Sequence, residues 1–514
     1  MICARSQSGL LILLTALALH CPTSAPADDL KWPDSHLLPA FSAPAPVLDC
    51  IELDHDKGAQ EILFASLEGI VNRTQPRLAC VTRHEGEGEF TWLKIHKLKY
   101  HMIDGYAAIL KYRTNFTGLV VTDPFQPHTI NLAATMAGVN NELVCDPSLL
   151  PTLTQPPYNL PIVDDLRGRF ADKYAVYGCL YSNYWPRCTH RIIAGMSPGP
   201  RGQLREYLIA VKSAAVWLNP GERKDAQMLQ RFVSEMKPLH GVYMGWWPSE
   251  DKGLKWIAQY GIPVLASDFF RNGSVFSGVA CHVRIPAIPP PPPLENKVYV
   301  AFILSDGDNI QYMQHTMKVN WEKPGRGNLP VGWTVSPLTL DMDPVMLDYY
   351  WNTATTNDCL VSGPSGAGYN HISDWNAANI AAFTRISAPY LQDSGLRVIT
   401  VWDKVNQPIA RAFATNCPSL LGLTDQSGAY GKVDLGLRTI RLTPAYTSSA
   451  KNMIASITKA AKNWNGTAPL FIAAQSDIWK LGPADLRKVA TALAPKEYQL
   501  IRPDQLFILA AQKR

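Results

Sequence analysis

The sequence lacks the patterns that mark several common protein classes. It contains no run of about twenty consecutive apolar residues, the length that a helix needs to span a bilayer. Its formal net charge is only +5 over 514 residues and no basic stripe occurs, so nucleic acid is not an expected partner. No C-x-x-C spacing occurs among the ten cysteines, which argues against a structural zinc site. The composition is instead that of a globular protein.

The first 27 residues have the features of a signal peptide. Arg5 is followed by an apolar segment, residues 10–19, that is too short to cross a membrane, and then by the small-x-small site Ala25-Pro-Ala27. We therefore expect secretion or export to the periplasm, with a mature chain that begins near Asp28. An exported chain can oxidise its cysteines, and Cys179 with Cys188 is the easiest local pair.

A proline-rich segment divides the mature chain. It contains five consecutive prolines, Pro289–Pro293, which fit neither a helix nor the ladder of a sheet and form a stiff spacer. Before this segment, helix and strand patterns alternate in small units, and after it they alternate over a longer period. The expected divisions are a signal peptide (1–27), three α/β subdomains (28–120, 121–195 and 196–285), the linker (286–294) and a C-terminal domain (295–514).

The C-terminal domain is predicted to be a TIM-like (β/α) barrel, so the fold class is α/β. Strand patterns alternate there with helical patterns such as Pro483–Leu493. An open, doubly wound sheet is the alternative. The predicted strands are Val298–Leu304, Val331–Ser336, Cys359–Ser362, Arg397–Trp402, Leu420–Leu423, Thr439–Leu442, Leu470–Ala474 and Tyr498–Ile501.

The first predicted strand of this domain ends on two acids. Val298–Leu304 is a continuous apolar run, as in fully buried strands, and Asp306 and Asp308 follow it. Chemistry in barrel enzymes takes place at the carboxyl ends of the strands, and Asp403 follows another of them. Because glycoside cleavage needs paired carboxylates, we predict Asp306, Asp308 and Asp403 as catalytic residues. The alternatives are a solvated turn, or acids that cap helices.

A glycine-rich loop follows the third predicted strand. Gly366 and Gly368 would let the backbone approach a ligand closely, while Tyr369 and His371 would stack on a sugar ring or donate hydrogen bonds. No Lys-Ser or Lys-Thr follows the glycines, so the loop is not a phosphate-binding P-loop. Trp402, beside Asp403, is a further candidate platform for a sugar.

Several of these motifs together resemble one protein family. Gly366-Ala-Gly-Tyr369, Ser305-Asp-Gly-Asp-Asn309 and three N-terminal segments (65–77, 245–250 and 266–272) are similar to the GxGYxYP proteins. The resemblance implies an exported glycoside hydrolase of a bacterial polysaccharide system, with N-terminal α/β subdomains before its C-terminal domain. The chain departs from the family in one place, because His371 and Ile372 stand where the motif continues with Tyr-Pro.

The sequence therefore predicts an exported hydrolase that cleaves a carbohydrate with its carboxylates and without a cofactor or metal. The predicted substrate-binding residues are Gly366, Gly368, Tyr369, His371 and Trp402. Two alternatives remain open. A non-catalytic glycan-binding protein would keep the aromatic residues without a close carboxylate pair of raised pKa. A metal-dependent carbohydrate deacetylase would need histidine ligands, and no H-x-x-x-H pair occurs.

Overall fold

The computed structural model describes residues 30–53, 57–84, 86–426, 437–494 and 498–512. The predicted signal peptide, residues 1–27, therefore lies outside the described residues. Within the described ranges, no helix combines the length and the apolar character that crossing a membrane requires. The described chain folds into three small parallel sheets followed by a large parallel barrel.

Three parallel sheets with their helices form the N-terminal half, and we call them the first, second and third units. The first unit comprises β1 (Leu48–Glu52), α1 (Gly58–Asn72), β2 (Leu78–Val81), α2 (Gly88–Ile95), β3 (Tyr100–Met102) and α3 (Gly105–Lys111). The second comprises β4 (Leu119–Val121), α4 (Thr129–Asn140), β5 (Leu143–Cys145), α5 (Leu150–Leu153), β6 (Ile162–Asp165) and α6 (Lys173–Asn183). The third comprises β7 (Ile192–Gly195), α7 (Arg205–Ala210), β8 (Ala214–Val216), α8 (Arg223–Val233), β9 (Val242–Gly245), α9 (Glu250–Ala258), β10 (Val264–Ala266) and α10 (Gly273–Phe276).

Strand pairing divides these units at residues that differ from the expected ones. The expected boundary between residues 120 and 121 falls inside β4, which pairs along its length with β5. The expected boundary after residue 195 separates β7 from its own sheet, since β7 pairs in parallel with both β8 and β9. The second unit therefore begins before β4, and the third begins before β7.

The local cysteine pair does not form a disulfide in this structure. Cys179 and Cys188 are both free thiols. The Cys179 thiol accepts a hydrogen bond from Asn183 Nδ2 at 3.4 Å, whereas the Cys188 thiol is buried and donates to Tyr184 O at 3.4 Å. Each sulfur atom thus has its own partner on the helix or just beyond it.

The C-terminal half is a parallel barrel, as predicted. Its strands are β11 (Val298–Leu304), β12 (Val331–Val335), β13 (Asp358–Ser362), β14 (Val398–Thr400), β15 (Gly422–Asp425), β16 (Arg438–Arg441), β17 (Leu470–Ser476) and β18 (Tyr498–Leu500). Its helices are α11 (Ile310–Gln314), α12 (Thr316–Trp321), α13 (Thr339–Met342), α14 (Pro344–Asn352), α15 (Ala377–Ser394), α16 (Gln407–Asn416), α17 (Ala450–Ala460), α18 (Pro483–Leu493) and α19 (Pro503–Gln512).

The sheet closes into a ring instead of remaining an open, doubly wound sheet. Strands β11 to β16 pair in sequence order, and β17 returns to pair along the whole of β11. A parallel bridge between Leu442 and Ala473 joins the β16 and β17 sides of the ring. The remaining strand, β18, pairs only with the first half of β11.

Both faces of β11 are covered, which explains its unbroken apolar sequence. Val298, Val300, Phe302 and Leu304 belong to the largest hydrophobic cluster, whereas the alternate residues pack in a second cluster with the C-terminal helix α19. Because α19 contacts β11, β13, β16 and β17, it fills the interior at one end of the barrel. The proline-rich linker is fixed at this end, since Gln505 Nε2 donates to the carbonyl oxygens of Pro289 and Pro290, each at 3.1 Å.

A buried arginine joins the third unit to the first unit and to the barrel. Arg271 follows β10 and forms ion pairs with Glu61 of α1 and Glu89 of α2. Its main-chain amide and carbonyl bond the side-chain amide of Gln314 in α11 at 3.2 and 3.0 Å. The three side chains in this ion-pair cluster are buried, so each charge depends on its partners.

We expect Arg271→Met to lower the free energy of unfolding by about 3–5 kcal/mol, because it leaves two buried carboxylates without their cation. The measurement is urea denaturation followed by circular dichroism. The matched control is Arg284→Met, because the Arg284 side chain is 68% exposed in its pair with Asp348 and should contribute less than about 1 kcal/mol. Equal losses for the two variants would contradict a stabilising role for the buried pair.

Candidate active site

A cavity of about 350 Å³ opens at the carboxyl ends of the barrel strands. Barrel residues line most of it, but the third unit also contributes to its wall. The lining residues are Trp246, Glu250, Ser305, Asp306, Asp308, Asn309, Thr334, Pro364, Tyr369, Thr400, Trp402, Tyr446 and Gln475. Three carboxylates and four large aromatic side chains therefore line the same cavity.

The turn after β11 presents two of these carboxylates. Asp306 has a left-handed backbone conformation with φ of 75°, which is strained for a residue other than glycine. Gly307 lies against β12, where its amide donates to Thr334 Oγ1 at 2.8 Å. A Cβ atom on Gly307 would lie 1.5 Å from the Thr334 carbonyl oxygen, so only glycine fits there. This turn directs both Asp306 and Asp308 into the cavity.

The two aspartates differ in their tendency to ionise. Burial raises the pKa of Asp308 well above its ordinary value, and the nearby Asp306 and Glu250 carboxylates raise it further. Burial also raises the pKa of Asp306, but there the Trp479 indole N–H donates to the carboxylate and opposes the shift. The pair therefore favours a protonated Asp308 beside an ionised Asp306.

The glycine-rich loop attaches the third unit to the barrel. Tyr369 N donates to Val264 O of β10 at 2.7 Å, and a Cβ atom on Gly368 would lie 2.8 Å from Pro263 Cβ. The φ angles of Gly366 and Gly368 are 116° and 121°, a region that glycine adopts without strain. These two glycines thus allow close contact between the loop and β10, and neither lines the cavity.

Tyr369 belongs both to this contact and to the cavity wall. Its hydroxyl donates to Glu250 Oε1 at 2.6 Å, and its ring is parallel to Trp246, with centroids 5.7 Å apart. Burial raises the pKa of Tyr369 well above its ordinary value, and Glu250 adds to the shift, so the phenol remains a donor. The third unit thereby supplies one carboxylate and one aromatic face to the cavity.

Two further residues predicted from the sequence lie outside the cavity wall. The Asp403 carboxylate accepts a hydrogen bond from Ser373 N at 2.8 Å and is not among the lining residues. His371 is also absent from the wall, and its Nδ1 lies 4.0 Å from Asp374 Oδ2. Trp402 does line the cavity and meets Tyr446 edge-on at 5.3 Å. The carboxylate that faces Asp306 and Asp308 is consequently Glu250, which the sequence analysis did not select.

Buried polar atoms in the wall are available to a ligand. Among the residues that the structure describes, Thr400 Oγ1 and Gln475 Oε1 are buried and have no hydrogen-bond partner. Both residues line the cavity. Leaving such atoms unpaired costs free energy, which a ligand rich in hydroxyl groups would recover.

The acidic residues in the described ranges do not form a recognisable metal site. In those ranges, no group of three or more histidine, cysteine, aspartate and glutamate side chains is arranged to hold a metal ion. Acids after β12 have structural partners, as Asp343 shows: it accepts from His96 Nε2 at 2.7 Å and from the amide of Met346 at 2.9 Å, at the start of α14.

Comparisons with known proteins identify related sequences and a related structure. The model described as "GxGYxYP putative glycoside hydrolase C-terminal domain" matches residues 296–511. Models for the second and third GxGYxYP N-terminal domains match residues 116–188 and 190–278. No curated protein matches the chain. A crystal structure of "a putative hydrolase from Bacteroides thetaiotaomicron VPI-5482" is 18% identical, with a TM-score of 0.82, over 95% of this chain and 98% of that one. This likeness shows a shared fold.

Proposed function

Because this chain belongs to the GxGYxYP family, whose C-terminal domain is described as a "putative glycoside hydrolase" domain, we propose that it cleaves glycosidic bonds in an oligosaccharide or polysaccharide. The observation that carries the proposal is the shared cavity, in which Glu250, Asp306 and Asp308 face aromatic side chains at the mouth of the barrel. Glycoside cleavage needs one carboxyl group that donates a proton and a second that is ionised.

In this proposal the two aspartates have different roles. Asp308, protonated through burial and its acidic neighbours, donates its proton to the glycosidic oxygen as the bond to the anomeric carbon breaks. Asp306, whose ionised form accepts the Trp479 N–H, attacks the anomeric carbon or activates the water that does so. Glu250 and the unpaired Gln475 oxygen accept hydrogen bonds from sugar hydroxyls.

Aromatic faces and buried hydroxyls suit the proposed sugar substrate. Trp246, Tyr369, Trp402 and Tyr446 offer apolar faces to the C–H bonds of a sugar ring. Ser305 and Thr400 supply hydroxyls that both donate and accept. A sugar ring has apolar faces and a rim of hydroxyl groups. The aromatic faces and the hydroxyl groups of the cavity wall complement these two kinds of surface.

The test is a screen of the mature protein against a panel of polysaccharides, with measurement of new reducing ends and analysis of the products. Release of reducing ends from one class of polysaccharide would support the proposal. Binding without release would favour the glycan-binding alternative. Release of acetate without new reducing ends would favour the deacetylase.

We also propose that residues 1–27 direct export, since they combine a basic start, an apolar segment and a small-x-small site. The expected result is a mature N-terminus near Asp28 on protein recovered outside the cytoplasm. N-terminal sequencing measures this directly, and Ala27→Arg should block the cleavage because the site requires a small residue. Protein that retains Met1 and remains in the cytoplasm would contradict the proposal.

A further inference from the structure

Trp479 lies in the turn between β17 and α18, and its indole N–H donates to Asp306, a residue of the cavity wall. We propose that it has two functions: its ring forms an outer sugar-binding subsite, and its indole N–H positions the Asp306 carboxylate. The inference rests on the proposed glycoside hydrolysis and goes beyond it by assigning a subsite outside the cavity. It implies a substrate that extends beyond the sugar unit held inside.

The exposure of this side chain is unusual for its type. Trp479 is 53% exposed and is the most exposed tryptophan in the described ranges. Leaving a large apolar ring in water forfeits the free energy that its burial would provide. Exposed aromatic surface beside a binding cavity commonly marks a contact for a ligand or partner.

The ring is nevertheless held in place. The main-chain amide of Trp479 donates to Asp477 Oδ1 at 3.0 Å, which fixes the turn. The ring packs edge-on against the buried Tyr312, with centroids 5.3 Å apart, and Nε1 donates to Asp306. A platform that is already ordered loses little conformational entropy when a ligand binds.

The hydrogen bond to Asp306 locates the ring relative to the reaction. Asp306 lines the cavity, so the ring bonded to it lies next to the carboxylate that acts on the anomeric carbon in the proposed mechanism. At about 350 Å³ the cavity is at the small end of ligand sites, so a longer glycan must leave it past the rim. Trp479 is therefore placed to stack on the next sugar unit.

The same bond acts on the charge of Asp306. A donor to a carboxylate favours its ionised form, whereas nearby acids oppose ionisation. Trp479 opposes the effect of these acids by donating its indole N–H to Asp306, and a hydrogen bond with Ser305 acts in the same direction. The ionisable groups that act on Asp306, or on which it acts, are Asp308, Glu250, Asp477, Tyr312, Tyr369 and Tyr446.

Two variants separate the two functions. Trp479→Phe keeps an aromatic ring and removes the N–H, so the acidic limb of the pH–rate profile should move up by about one pH unit. Trp479→Ala should show the same shift and, in addition, raise KM for longer oligosaccharides by roughly three- to tenfold. An activated glycoside of a single sugar unit, which does not extend past the cavity, should not show this increase in KM. Trp464→Phe is the matched control, because the Trp464 indole donates to Ala468 O in another loop.

A fluorescence titration tests the positioning role without any substrate. The difference in tryptophan emission between the wild type and Trp479→Phe should change with pH as Asp306 titrates, and Asp306→Asn should abolish this change. An unshifted acidic limb in Trp479→Phe, or a pH-independent difference spectrum, would overturn the positioning role. An unchanged KM for longer oligosaccharides in Trp479→Ala, or an equal rise in KM for short and long substrates, would overturn the subsite. Failure of the polysaccharide screen would instead contradict the proposed hydrolysis, while the titration would still report on Asp306.

Discussion

Asp308→Asn is expected to lower kcat by about a hundredfold or more, the usual contribution of a general acid. Asparagine has nearly the shape of aspartic acid but has no acidic proton to donate. The loss should be largest for natural sugar leaving groups, which need protonation. It should be much smaller for aryl glycosides with acidic phenols, which leave without it. The measurement is kcat for a series of aryl glycosides of decreasing phenol pKa.

The pH dependence gives an independent check on this assignment. In the wild type, activity should fall at low pH, where Asp306 becomes protonated, and at high pH, where Asp308 loses its proton. Because burial and acidic neighbours raise the pKa of Asp308, the alkaline limb should lie well above the ordinary range for aspartate. Asp308→Asn should lack this limb. An alkaline limb that persists in the variant would assign the proton donor to another group.

Asp403→Asn is the matched control. Both aspartates follow barrel strands and both have a pKa raised by burial, but Asp403 accepts from Ser373 N and does not line the cavity. We therefore expect turnover within about threefold of the wild type, less than 1 kcal/mol in the barrier. A loss of turnover as large as that of Asp308→Asn would show that an acid need not line the cavity to take part in catalysis.

Gly307→Ala is expected to abolish activity and to lower the free energy of unfolding by about 3 kcal/mol or more. The added methyl group would lie 1.5 Å from the Thr334 carbonyl oxygen, a backbone atom of the adjacent strand that cannot rotate away. The turn would have to leave β12 and lose the hydrogen bond from its amide to Thr334 Oγ1. Both Asp306 and Asp308 would move with it, so unfolding curves and kcat should change together.

The control for this substitution is Gly178→Ala in α6. No atom lies within 4 Å of the Cβ position at Gly178. Alanine there should stabilise the protein by up to about 1 kcal/mol, since glycine is the poorer helix former. Full activity and stability in Gly307→Ala would show that the turn after β11 can shift without displacing the two acids.

Elements with an uninterrupted pattern could be predicted from the sequence. The bounds of β11 and α18 agree with prediction, because an apolar run defines the first and a proline at the N-terminus marks the start of the second. In the N-terminal half, strands β1, β3, β6 and β7 were not predicted. Of these, β3 and β6 are short and partly exposed, so they carry no apolar run. In β1 a buried aspartate, Asp49, interrupts the pattern, and it is compensated by Tyr112, His101 and Lys111 from distant positions.

The site was predictable where local sequence determines it. Asp306 and Asp308 line the cavity because they directly follow a buried strand. Asp403 has the same local signature, but its carboxylate accepts a hydrogen bond from the loop at Ser373. That contact joins residues thirty positions apart, so no local sequence pattern predicts it. Glu250 comes after β9 in the third unit, so the same rule of polar residues after a strand would have selected it there. The third unit packs against the barrel through tertiary contacts, and sequence periodicity does not predict such contacts.

The cavity wall contributed by the third unit consists of one short turn, residues 246–250, whose Glu250 meets a tyrosine 119 positions away. Under the proposed mechanism, Asp306 and Asp308 cleave the bond, whereas residues 246–250 form part of the surface that selects the sugar. These two groups of residues lie far apart in the sequence. A substitution at Trp246 can therefore change the preferred sugar without altering the two aspartates, whereas a substitution at Glu250 also acts on the pKa of Asp308. Grafting this turn from one homologue to another would measure how far the third unit determines the preferred glycan.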